Sequence, residues 1–159
     1  MSARIPLALA LLTMVVALNA AFTALVVLFG YDDVLREPAA EVLARFHAGG
    51  ARLVAAWAAF AAGALAFAWI GPAVEREVGL APGWMAPAAA LAQAAGLLRW
   101  VTGVPVLAAL HQAPDATEAA RVAAETAYLA LHQFAGAAIG EVLGQVLLAG
   151  WTLRVALAM

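Results

Sequence analysis

Cysteine and lysine are both absent. Without cysteine there is no disulfide framework, no thiolate nucleophile and no thiolate metal site, and the redox compartment leaves no mark on the sequence. Without lysine, the eight basic residues are all arginines, scattered singly among 159 residues, and ten acids outnumber them to a net charge of −2. Nucleic-acid binding needs a concentrated positive surface, so nucleic acid is excluded as a partner. Charge of either sign is scarce, at 11% of residues. No glycine-rich phosphate loop, nucleophile elbow or triad pattern occurs. No reaction is therefore assigned, and the chain is read as non-enzymatic. The abundance of alanine and the exclusive use of arginine resemble genomic base bias and imply no function.

What the chain has in excess is apolar surface. Hydrophobic residues make up 67% of it and its mean hydropathy is +0.96, against roughly 45–50% apolar residues in soluble domains. Four apolar segments, at about 6–30, 51–71, 84–110 and 129–157, each reach the roughly 20 residues that cross about 30 Å of hydrocarbon. Their continuous runs lack barrel alternation, and lipid leaves helices as the other way to satisfy the backbone. The expected fold is all-α: a polytopic four-transmembrane-helix bundle forming one domain over 1–159. The N-terminal run opens like a signal peptide at Arg4, but its apolar stretch exceeds the roughly 7–15 residues of an h-region, and its cleavage pattern near Asn19 is poor. It is read as a retained first span.

The connections differ. GPAVEREVGLAPG, 71–83, is bounded by Gly-Pro and Pro-Gly and reads as a turn-rich loop. YDDVLREPAAEVLARFHAGG places Pro38 early in a helix and Val42, Leu43 and Phe46 on one face, ending at Gly49-Gly50. PDATEAARVAAETAYLAL offers Asp115 as N-cap with Glu118 three residues on, opening a helix that continues into span four. Both amphipathic segments fall on one membrane face, opposite the termini and the 71–83 loop. Arginines flank both faces almost equally, whereas acids gather on the amphipathic side. The termini are accordingly placed in the cytoplasm, in a bacterial cytoplasmic membrane.

Two charges lie inside spans. Arg99 is eleven residues before Leu110 and Glu141 eleven after Ala130, so both sit roughly 16 Å below the same face at 1.5 Å per residue. An unpaired charge at the bilayer centre costs about 2.5–3.5 kcal/mol or more, which predicts an Arg99–Glu141 ion pair. The guanidinium has donors to spare, and Asn19, Gln93, Thr102 and Gln145 lie at nearby depths to complete a buried polar network. Such a network is either an architectural clamp or a solute or proton site. Gly136, Gly140 and Gly144, at fourfold spacing, form a small-residue groove for helix packing, with homodimerisation as the alternative. Pro105 and Gly103 predict a kink just past Arg99.

The histidines His47, His111 and His132 all fall on the amphipathic side. They are read as polar caps on span ends, with haem or metal ligation as the alternative. Trp57, Trp69, Trp84, Trp100 and Trp151 read as belt or packing residues. The expected function is that of a small accessory or ligand-binding membrane protein built around the Arg99–Glu141 network, with the lipid bilayer as partner and a larger membrane complex or a homodimer as further alternatives.

LLRWVTGVPVLAAL and LHQFAGAAIGEVLGQ together resemble the uncharacterised bacterial integral-membrane family catalogued as domain of unknown function 4386. The resemblance runs from the second span onward. It places Arg99, Trp100, Pro105, His132, Gly136, Gly140, Glu141 and Gly144 at family-motif positions. It implies an all-helical bundle and no particular activity. Family members usually continue into further spans, so a chain stopping at Met159 would be a truncated or minimal version.

Overall fold

The computed structural model describes residues 4–159; residues 1–3, at the start of the N-terminal run, lie outside the described residues. Four helical stretches are long and apolar enough to cross a membrane: Ile5–Phe29, Ala39–Glu77, Met85–His111 and Glu118–Ala156. No strand occurs among the described residues. The chain has the architecture of an integral membrane protein, a four-helix bundle whose apolar groups lie outside as well as inside.

Helix α1 (Arg4–Phe29) lies along α2 (Ala39–Glu77). Its Leu9, Leu12, Val16 and Val27 are exposed, as side chains that meet lipid are. After a 3₁₀ turn at Asp33–Arg36, Pro38 caps α2 in an extended conformation. The amphipathic face read from the sequence is present here: Val42, Leu43 and Phe46 are buried, while Glu41 and Arg45 pair on the exposed side. Gly50 breaks the helix at φ 55°, ψ −149°, a backbone conformation open to glycine and strained for other residues. Span two therefore leaves the amphipathic segment at an angle.

The sequence reading ended span two near Gly71, and the structure corrects this. The helix runs past Pro72 to Glu77, leaving a turn of only 78–84. Pro72 forfeits one bond, to the Ala68 carbonyl, but its fixed φ suits a helix, and membrane helices tolerate such losses. Gly71 lies so close to the Ala86 methyl that a β carbon there would collide. It is a packing glycine between spans two and three and does not terminate the helix.

Span three is interrupted, not merely kinked. Helix α3 (Met85–Leu98) ends where Arg99 begins a run of tight turns, and α4 (Gly103–His111) starts beyond them. Within the interruption Trp100 N–H bonds Leu97 O and Val104 N–H bonds Arg99 O at 2.8 Å. Pro105 has no N–H to offer Val101, so the α pattern cannot close across this stretch.

Helix α5 (Glu118–Leu131) is capped by Thr117, whose hydroxyl accepts from Ala120 N–H at 3.2 Å. The expected Asp115 cap is displaced two residues along, because helix and cap begin later than the acid spacing suggested. Helix α5 passes without a break into a π-helical segment, His132–Leu143, and then α6 (Gly144–Ala156). Gly136, Gly140 and Gly144 all present bare backbone to one neighbouring span.

That neighbour is α3. A β carbon on Gly136 would meet the Arg99 guanidinium at 2.5 Å, one on Gly140 would meet Gly96 Cα at 2.9 Å, and one on Gly144 would meet Gln93 Cγ at 2.7 Å. Steps of four on one helix thus oppose steps of three on the other, the interdigitation of 3–4 packing. The groove serves contact between two spans of the same chain. Beyond it, toward the amphipathic face, lies an aromatic core. Trp57 and Trp100 stack at 4.8 Å with 8° between planes, and Phe46 stacks on Trp100 from α2. Phe29 meets both tryptophans edge-on.

Candidate functional site

Arg99 is only 6% exposed, and its position follows from the break in span three, which turns its side chain toward the π segment. One guanidinium nitrogen, Nη1, donates to Gly96 O. Nη2 lies 3.5 Å from His132 Nδ1, and the group's central carbon stands 5.1 Å from the Trp100 ring centre. The Nε–H has no hydrogen-bond partner among the described residues. Gly136 presents bare backbone to the guanidinium face, so the positive charge is held between a tryptophan and a glycine.

The predicted Arg99–Glu141 ion pair is not formed. Glu141 makes no hydrogen bond or ion pair among the described residues, although it lies near enough to act electrostatically on Tyr31. The reason is angular. Glu141 is one residue on from the glycine line, so as Gly140 meets α3 its neighbour turns to the outer surface and is exposed. Arg99 and Glu141 instead share the lining of a cavity of about 170 Å³ with Gln93, Gln145 and Tyr31. Because Glu141 and Gln145 are exposed while Arg99 is enclosed, this cavity joins the interior to the surface of span four.

Two residues expected in this network lie outside it. Asn19 is exposed and its amide donates to Val15 O in its own helix at 2.8 Å. Thr102 likewise donates to Leu98 O at 2.9 Å. Depth alone placed them near Arg99, but both close local bonds on outward faces. Tyr31 was missed. It lies just past span one in sequence, yet its ring folds back against Trp57, at 5.0 Å, and Phe22, at 5.7 Å. Burial holds the Tyr31 hydroxyl above its ordinary 10.0, and the Glu141 carboxylate pushes the same way.

A buried ion pair does exist, elsewhere. Glu75, 0% exposed, accepts from Arg154 Nη1 at 2.5 Å and from Gly83 N–H at 2.5 Å. Arg154 also donates to Ala81 O at 2.7 Å. This ties the last turns of spans two and four to the 78–84 turn. The signal was available: opposite charges near the ends of spans two and four, on one membrane face by topology.

The histidines do not converge. His47 is exposed; His111 is buried, with Nε2 2.9 Å from Glu125 Oε1 and Nδ1 3.0 Å from Gln112 Nε2; His132 sits beside Arg99 and Tyr128. Among the described residues no three histidine or acidic side chains are grouped to hold a metal ion. Trp69, in α2, and Trp84, at the end of the 78–84 turn, are 72% and 66% exposed, as outward-facing belt residues are. In comparisons with known proteins, the chain matches no family model, no curated protein and no solved structure.

Proposed function

We propose that this protein is a non-enzymatic membrane protein that binds a ligand entering from the lipid phase, with the Arg99–Glu141 cavity as its site. The observation that carries this reading is the separation of the two charges. A bundle that used them only as a clamp would bring them into contact, because an unpaired intramembrane charge is costly. Here a guanidinium with an unpartnered Nε–H and a carboxylate with no hydrogen bond line one cavity. Polar groups gathered in a concave site are the ordinary basis of ligand orientation. The cavity's exposed residues lie on the lipid side, which favours a membrane-dissolved ligand over a water-soluble one.

The test is extraction and mass spectrometry of material bound to protein purified in mild detergent, for the wild type and a Glu141→Gln, Gln145→Leu double variant. A bound amphiphile near one per chain that the double variant lacks supports the reading. Identical extracts from both proteins sink it.

A second reading, a proton carrier, is favoured by the same unpaired Glu141. It predicts a pH change inside liposomes under an imposed potential that Glu141→Gln abolishes. Liposomes as tight as protein-free ones would remove it.

A further inference from the structure

Resting on that ligand-binding reading, we infer that the cavity takes a ring-sized, uncharged head bearing carbonyl or hydroxyl groups, the head of a quinone or quinol with an apolar tail. Size is the first constraint. About 170 Å³ compares with the about 150 Å³ of an apolar cavity that admits benzene, so one six-membered ring with small substituents fills it.

Charge is the second constraint. An anionic head drawn to Arg99 would also face the Glu141 carboxylate, and a cationic head drawn to Glu141 would face the guanidinium. In surroundings of low dielectric, neither repulsion is screened as it is in water. An uncharged head avoids both. Its carbonyl oxygens are acceptors, matching a site rich in donors: the Arg99 guanidinium, the Tyr31 hydroxyl and the amides of Gln93 and Gln145. A hydroxyl in place of a carbonyl would donate to the one carboxylate present. Phe60 and Tyr31 bring aromatic rings to the same lining, suited to a flat head. The exposed edge at Glu141 and Gln145 leaves the tail in lipid. The inference concerns binding alone and assigns no electron transfer.

The site carries its own reporter, because Trp100 lies against Arg99 and stacks on Trp57. A short-chain alkyl benzoquinone titrated into the detergent-solubilised protein should quench tryptophan emission saturably, beyond the linear quenching caused by partition into micelles. Glu141→Gln and Arg99→Met should each weaken the saturable phase about tenfold. Glu141 is exposed, so its variant tests the site without disturbing the core, and near-ultraviolet circular dichroism verifies the fold of Arg99→Met. Decanoate and decyltrimethylammonium, tested as competitors, supply the anionic and cationic heads. If either displaces a bound probe or changes emission saturably where the quinone does not, the head class is wrong and the ligand-binding reading stands. If none of the three binds saturably, or if binding ignores both substitutions, the inference and the reading fall together.

Discussion

Removing Arg154 should damage this protein far more than neutralising its partner. Arg154→Met leaves the Glu75 carboxylate fully enclosed, with Gly83 N–H as its one remaining donor. Breaking a buried pair from one side costs about 3 kcal/mol. Glu75→Gln keeps an oxygen for Gly83 and leaves Arg154, a third exposed and still bonded to Ala81 O, able to reach water; a loss of about 1 kcal/mol, that of an ordinary hydrogen bond, is expected. In the double variant no buried charge remains at this end of the bundle. Adding Glu75→Gln to Arg154→Met should therefore restore roughly 2 kcal/mol of the 3 lost, the difference between these two terms. Denaturant unfolding in one detergent, followed by circular dichroism for all four proteins, measures the cycle. If the two losses add, or if Glu75→Gln proves the more damaging single change, the enclosed carboxylate does not govern this end of the bundle.

Gly140→Ala should destabilise by about 1–3 kcal/mol as α3 and the π segment are forced apart, since its β carbon would stand 2.9 Å from Gly96 Cα. Gly150→Ala, meeting only the flexible end of Met85, its sulfur at 3.4 Å, should be close to neutral in the same denaturant assay. Thr117→Ala removes the α5 cap and should cost about 1 kcal/mol, seen as faster amide exchange confined to the first turn. Tyr31 has a raised folded-state pKa, so its contribution to stability is complete below its ordinary 10.0 and is lost as pH rises past that value. Subtracting the phenolate titration of Tyr31→Phe from that of the wild type should reveal a midpoint above that of free tyrosine; a midpoint at or below it would refute the burial argument.

Much of the fold was legible because lipid imposes a length and a backbone rule that composition alone reveals. The Val42, Leu43 and Phe46 face was legible for the related reason that helical spacing shows which side is buried. Termination was harder to read. Gly71-Pro72 carries the same letters as a helix end, but tertiary contact with Ala86 gives that glycine a different use. The candidate site was half legible. Depth arithmetic put Arg99 and Glu141 at one level, and both do line one cavity. Depth says nothing of direction around the helix axis, which is why Asn19 and Thr102 were wrongly included and the ion pair wrongly expected. Tyr31 was out of reach because its ring returns to the bundle through a bend that no periodicity encodes.

The last 39-residue helical stretch, Glu118–Ala156, is roughly 58 Å long at about 1.5 Å per residue, against about 30 Å of hydrocarbon. Nearly half of it therefore stands outside the lipid, joined rigidly to the half that carries Glu141. Span two, by contrast, leaves the same face through the bend at Gly50. One arm is jointed and the other is a stiff lever. Anything that leans on the exposed side of α5 would transmit its displacement along an unbroken backbone to the mouth of the cavity, while the same push on 39–49 would be absorbed at the joint.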